Sequence, residues 1–264
     1  MKTRSESRGV EAFVLAGARA SGDALAEAHA VPSKAHIKIA GESMISRVLK
    51  ALFKSENASK ITVIGLSDHH KLLAEEAWPP ATFRDGEDGP SASVYRALND
   101  VQMSAPVLVT TCDHALLTPA IIDTFLDGTG ATDADLTVAL ARRDEIEARY
   151  PEATRTYLKF GDGAYSSCNL FCLVTPAAGQ VVEFWQSAEQ DRKRPWRIAW
   201  RFGVISAVRI LVGRPGLEQV FAIISRRLGV KIRPIVLPFA EAAIDVDTPE
   251  DLVLVEQILL ERTE

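Results

Sequence analysis

"VLVTTCDHALLTP", residues 107–119, opens as a run of apolar and β-branched residues and closes as a helix start. An unbroken apolar run without polar alternation suits a strand buried on both faces. Thr118-Pro119 then starts the next helix. Between strand and helix sit Cys112, Asp113 and His114, three side chains capable of chemistry. The same pattern recurs around this stretch. Strand candidates are "EAFVLAG" (11–17), "KITVIGL" (60–66), "PVLVTT" (106–111) and "DLTVAL" (135–140), with helical patterns at about 43–55, 68–77, 91–103 and 118–127. In the first of these helices Ile45, Val48, Leu49, Leu52 and Phe53 recur at helical spacing as one apolar stripe. Such alternation predicts an α/β fold with a mostly parallel sheet. Ligands of open α/β sheets bind outside the carboxyl ends of the strands. That rule directs attention to residues 17–23, 66–70 and 111–114.

The second half is less regular. "SSCNLFCLVTP" (166–176) is strand-like and leads into a helix at about 176–189. A helical run at about 195–211, a Gly-Arg-Pro-Gly break at 213–216, a helix at about 216–228 and a strand at about 231–237 follow. In "IDVDTPEDLVLVEQILLE" Thr248 is a natural N-cap, Pro249 fits the first helical position, and Asp251 completes a capping box.

The 264 residues are 47% hydrophobic and 25% charged, enough for a sizeable core. The formal net charge of −5 argues against general nucleic-acid binding. The three cysteines, Cys112, Cys168 and Cys172, form no CxxC pair, so a reducing, cytoplasmic setting is expected. The polar opening is not read as a signal or transit peptide, and no apolar run is long enough to span a membrane.

Four segments could carry chemistry. In "LAGARASGDALAEAHAVPSKAHIKIAGESMISRVL" (15–49) a strand ends at Gly17, and a small-residue loop brings Arg19, Gly22 and Asp23, with Lys34 further on. Glycines let backbone N–H groups approach an anion, and Arg19 and Lys34 could neutralise phosphate. It is neither a GxGxxG fingerprint nor a Walker A loop. In "RDGEDGPSASVYRAL" (84–98), Ser91 and Ser93 open a helix, an end that suits anionic or polar groups; the plainer reading makes Ser91 an N-cap. Asp113, at the carboxyl end of its strand, is well placed to hold Mg²⁺. Asp245 and Asp247, two apart on an extended segment, point the same way and suit one metal site. Cys112 reads as a packed thiol, since no further Cys or His stands at zinc-ligand spacing.

Taken in order, these segments resemble the MobA-like nucleotidyltransferases of the glycosyltransferase-A type fold. The matching stretches are "LAGARASGDALA", Lys34, "GESMISRVL", "TCDHALLTP" and the closing "IDVDTPEDL". The resemblance implies a Rossmann-like three-layer α/β/α sandwich in a single domain over 1–264, with a helical insertion near 190–230. It also implies transfer of a nucleoside monophosphate from an NTP to an acceptor, releasing pyrophosphate. Leu15, Ala16, Gly17, Ala18, Arg19, Gly22, Asp23 and Lys34 would hold the triphosphate, and Ser91 and Ser93 would lie near base or ribose. Asp113 would ligate Mg²⁺ with Asp245 or Asp247. Arg19, Lys34 and Asp113 would carry catalysis. The chain departs from the usual pattern in having Gly17-Ala18 for a double glycine and its arginine early, at Arg19. A sugar-nucleotide glycosyltransferase and a catalytically idle nucleotide-binding module remain alternatives.

The acceptor is expected to bear a phosphate and to be met by His114, Asn169, Arg194, Arg197 and Arg201. Arg194, Arg197 and Arg201 share a helical face beside Trp196 and Trp200. Basic and aromatic faces side by side suit a phosphate clamp, a lipid-linked or otherwise hydrophobic acceptor, or peripheral contact with an anionic membrane.

Overall fold

The computed structural model describes residues 9–17, 22–66, 78–101, 103, 105–190 and 215–262. The expected helices at 68–77 and 195–211 lie outside these residues, as do Ala18, Arg19, Arg194, Arg197 and Arg201.

The fold is built around β1 (Val10–Leu15), whose Ala12, Phe13 and Val14 are fully buried. It pairs in parallel with β4 (Ala58–Ile64) on one side and β6 (Val107–Thr111) on the other. Beyond β4 lies β5 (Thr82–Arg84), also parallel. Beyond β6 lies β9 (Gly163–Leu173), which runs antiparallel to β6, to β7 (Leu136–Arg142) and to β8 (Leu158–Phe160). β10 (Ile232–Val236) closes that side in parallel with β7. Among the described residues the order is β10-β7-β9-β6-β1-β4-β5, with β8 on β9, a mixed and mostly parallel sheet. A separate two-strand hairpin joins β2 (Lys38–Ile39) and β3 (Glu42–Ser43).

Successive residues of β1 feed different cores, as strand geometry requires. Ala12 and Val14 join a cluster with α2 (Met44–Lys54), α4 (Pro119–Gly130) and α8 (Pro249–Glu261). Phe13 joins another with α3 (Pro90–Val101), α6 (Gly179–Gln190) and α7 (Leu217–Leu228). Helices therefore cover both faces, giving the three-layer sandwich. Two short helices, α1 (Ala24–Ala28) and α5 (Arg143–Arg149), complete the set among the described residues. No described helix is long and apolar enough to cross a membrane.

Local chemistry explains the boundaries. Thr118 Oγ1 accepts the Ile121 N–H at 3.3 Å with Pro119 at the first position of α4. Thr248 and Asp251 form the expected capping box on α8. The stripe of α2 is buried at Ile45, Val48, Leu49 and Leu52, but Phe53 is 46% exposed. At about 100° per residue Phe53 falls at the stripe's edge, in the last turn, where the core no longer reaches it. α3 begins at Pro90, and Ser93 N–H reaches Gly89 O at 3.1 Å. Gly89 therefore holds the cap position, and Ser91 lies inside the first turn rather than capping it.

Candidate active site

Three remote segments meet at the carboxyl edge of the parallel strands. Asp113 lies two residues past the end of β6 and is 7% exposed. Its backbone oxygen accepts the Val246 N–H at 3.1 Å, which fastens the 245–247 segment to the strand end. Asp113, Asp245 and Asp247 each offer a carboxylate oxygen, all within 4.8 Å of one another. Lys34 stands on a 3₁₀ turn (Lys34–His36) steadied by the Ser33 Oγ to His36 Nδ1 hydrogen bond of 2.9 Å. Its ammonium pairs with Asp113 Oδ2, with Asp247 Oδ1 at 2.7 Å, and reaches Val246 O at 3.5 Å.

The "GESMISRVL" segment shapes the approach of this lysine. Ala40 and Gly41 both have positive φ, 46° and 79°, forming the tight turn of the β2–β3 hairpin. Arg47 on α2 donates to Ile39 O at 2.6 Å and to Ala40 O at 3.3 Å, while Met44 and Ile45 anchor the helix in the core. Lysine turn, hairpin and helix thus hold together as one piece.

The two distal carboxylates differ in setting. Asp247 is exposed and faces Lys34. Asp245 lies deeper, with Oδ2 accepting from Asn169 Nδ2 at 2.9 Å and Oδ1 accepting from Arg155 Nη1. Asn169 sits at the irregularity where β9 shifts register against β7, with φ of 49°. Arg155, which the sequence reading did not single out, carries no motif that would have revealed it.

The electrostatics follow from this crowding. Burial works against the Lys34 charge, but Asp113 and Asp247 outweigh it and hold its pKa above the ordinary lysine value. Burial, then repulsion from Asp113 and Asp247, raises the Asp245 carboxyl above the usual range, with Arg155 opposing. One buried oxygen, Asp113 Oδ1, has no hydrogen-bond partner. That residue's carboxylate, with those of Asp245 and Asp247 within 4.8 Å, is an oxygen donor set that fits a hard, oxygen-preferring cation such as Mg²⁺.

Other expected residues take different positions. His114 is 1% exposed, and burial pushes its pKa down to about 4. Its ring is turned into the interior, away from an acceptor arriving from solvent. Cys112 is a buried thiol as expected, its pKa raised by burial, and Cys168 and Cys172 are buried likewise. Asp23 Oδ1 accepts the Leu25 and Ala26 N–H groups at 3.0 and 3.3 Å, so its carboxylate caps α1. Leu15 O accepts from Cys112 N and Ala16 N donates to Ile64 O, so these backbones serve the sheet while Gly17 opens to solvent. Gly22 has φ of 82°. Ser91 Oγ donates to Glu189 of α6, and Ser93 Oγ donates to Gly89 O at 2.8 Å while accepting the Glu87 N–H at 2.9 Å. Ser93 also lines a cavity of about 340 Å³ beside the ends of β4 and β5, with Leu66, Asp85 and Arg96.

One feature of this edge turns on Gly65, which the motifs passed over. Gly65 has φ of +91°, and a Cβ there would lie 2.6 Å from Gly17 Cα. A Cβ on Gly86 would lie 3.0 Å from Gly65 Cα. The ends of β1, β4 and β5 are thereby pressed into a bare backbone floor.

The model of the MobA-like NTP transferase domain matches residues 12–223. A hypothetical transferase from Thermus thermophilus is 31% identical, with a TM-score of 0.78 over 92% of this chain and 99% of its own. A 4-diphosphocytidyl-2C-methyl-D-erythritol synthase from Anaerococcus prevotii DSM 20548 shares the fold at 11% identity, TM-score 0.60, over 98% of this chain and 100% of its own. So does a CMP:2-keto-3-deoxy-manno-octonic acid synthetase complexed with CTP, at 13% identity, TM-score 0.57, over 97% and 100%. No curated protein matches the chain. The family match runs through the glycine loop, the lysine turn and the Asp113 strand end, and it assigns the chain: this protein belongs to the MobA-like NTP transferase family, enzymes of the nucleotidyltransferase class.

Proposed function

We propose that this protein is a Mg²⁺-dependent nucleotidyltransferase acting, as one domain, on an NTP and a phosphorylated acceptor. The observation that carries this reading is the convergence of Asp113, Asp245 and Asp247 with Lys34 at the carboxyl edge of the parallel strands. The CTP held by the octonic acid synthetase of the same fold supports an NTP as donor.

An acceptor phosphate oxygen attacks the α-phosphorus, the bond from that phosphorus to the β-phosphate oxygen breaks, and pyrophosphate leaves. No covalent enzyme intermediate is required, and an ionised phosphate needs no general base. Catalysis then rests on in-line positioning and on neutralising triphosphate charge. Asp113 and Asp245, with Asp247, would hold a divalent cation, which supplies charge neutralisation on the triphosphate oxygens. Lys34 brings a fixed positive charge to the same edge, and Arg19 of the 15–23 loop is assigned the phosphates. The floor of Gly17, Gly65 and Gly86 admits a flat group close to the backbone, and Ser93 borders the adjoining cavity. Asn169, which donates to Asp245, is assigned to the acceptor. The roles of Arg194, Arg197 and Arg201 toward a hydrophobic acceptor or an anionic membrane rest on the sequence alone, as does a cytoplasmic setting.

The test is pyrophosphate release from CTP, GTP, ATP and UTP with phosphate-bearing acceptors and Mg²⁺. The expected result is Mg²⁺-dependent release by the native protein, reduced by about 10²–10³-fold or more in Asp113→Asn. Full activity of Asp113→Asn would overturn the reading. Turnover of a sugar nucleotide instead would favour the glycosyltransferase, and binding without turnover the idle module.

A further inference from the structure

Arg155 belongs to no motif, yet its side chain is only 6% exposed. Its guanidinium joins the two acidic residues that shape the 245–251 segment. Nη1 pairs with Asp245 Oδ1 and also donates to Asp245 O at 3.1 Å. Nη2 pairs with Asp251 Oδ1. Asp251 turns its other oxygen to the Asp247 N–H at 3.1 Å, the Thr248 N–H at 2.9 Å and Thr248 Oγ1 at 3.0 Å. One planar fork therefore grips the side chain and backbone of Asp245 and, through Asp251, the backbone of Asp247. Asn169 holds the second oxygen of Asp245. Each carboxylate oxygen offers two lone pairs, so a hydrogen bond from either residue leaves a site for a cation. A cap for α8 alone would need only the Thr248–Asp251 pair; the two contacts to Asp245 go beyond it.

We infer that Arg155 is a positioning residue that presents Asp245 to the divalent cation and sets its spacing from Asp247. The inference rests on the metal-dependent reading proposed above. Lysine cannot replace this arrangement, because a single ammonium lacks the planar fork that meets two carboxylates at once.

The test uses Mn²⁺ as probe, with free ion measured by electron paramagnetic resonance, on the full chain and on Arg155→Lys, Arg155→Met and Asp113→Asn. Circular dichroism and thermal melts establish which variants fold. Partners that orient metal ligands typically change affinity by about 10–100-fold, so Arg155→Met is expected to weaken Mn²⁺ binding by at least about tenfold and Arg155→Lys by less. The Mg²⁺ concentration for half-maximal pyrophosphate release rises in parallel, while KM for the NTP at saturating Mg²⁺ stays unchanged. A purely structural arginine would lower the melting temperature without moving metal affinity. If Arg155→Met fails to fold, Arg155→Lys decides, because it keeps the buried charge and loses only the fork. Native Mn²⁺ affinity in a folded Arg155 variant, with binding lost in Asp113→Asn, overturns the role of Arg155 alone. Equal Mn²⁺ binding by the native protein and Asp113→Asn overturns the metal reading and this inference with it.

Discussion

Asp113 and His114 are neighbours in sequence and opposites in setting. Asp113 turns toward the carboxylate cluster and Lys34, whereas His114 is enclosed by the core. The histidine pKa, pushed by burial from 6.5 down to about 4, has a consequence for stability. Between those values the unfolded chain takes up a proton that the folded chain refuses. The unfolded state then binds more protons, so stability falls as pH drops through this window, by up to about 3 kcal/mol. Urea unfolding at pH 7 and pH 4.5 should show a drop that is smaller in His114→Asn than in the native protein by roughly 2 kcal/mol. An equal drop in both would remove His114 as its cause. The motif "TCDH" made Asp113 legible because a carboxylate at a strand's carboxyl end has few structural duties. It left the aim of His114 open, because its surroundings include the Ala242 backbone, far along the chain.

At the scale of elements, the site depends on where strands stop. β1, β4 and β5 end together, and the contact of Gly65 with Gly17 leaves no room for a side chain. Gly65→Ala combines a positive φ with a backbone clash and is expected to cost about 2–3 kcal/mol and to weaken NTP binding. Gly130→Ala, at the end of α4 with nothing within 4 Å, should be neutral or slightly stabilising. Denaturant titration of the pair checks this, and equal stability of the two variants would count against the packed floor. The helix α8 offers a second check. Thr248→Ala removes the oxygen that accepts the Asp251 N–H, and should cost about 1 kcal/mol by the same measurement. A larger loss of activity than of stability is expected there, because Thr248 adjoins Asp247. The capping box was readable because it is local chemistry over four residues. β5, with three half-buried or exposed residues, carried no such pattern, and the antiparallel direction of β9 has no signature in its composition.

The whole molecule is closed by contacts between its ends. Lys34 reaches Asp247 across 213 positions of sequence, so the site is also a clasp between the first and last parts of the fold. Removing that cation leaves three carboxylates facing one another. In EDTA, Lys34→Met is therefore expected to lower unfolding free energy by about 1–3 kcal/mol. Mg²⁺ should recover part of that loss, since a ligand held only by the folded state stabilises it by mass action. Thermal melts with and without Mg²⁺ check both statements; an unchanged gap between variant and native protein would show that the cation does not enter the cluster. The net charge of −5 sets the same scale, and no salt-dependent affinity for duplex DNA is expected.

The sequence by itself determined the α/β class and the capped start of α8, and it named Asp113, Asp245, Asp247 and Lys34 as candidates. The first two are local: apolar periodicity, and a hydroxyl three residues ahead of an N–H. Only the tertiary structure decided which of the candidates meet. It brought Lys34 between Asp113 and Asp247, set Asp245 against Asn169 and Arg155, turned Asp23 and Ser91 to structural duties, and enclosed His114. The reason is physical: burial and hydrogen bonding between residues tens to hundreds of positions apart depend on how the sheet is ordered, and strand order is not written in any one segment of the chain.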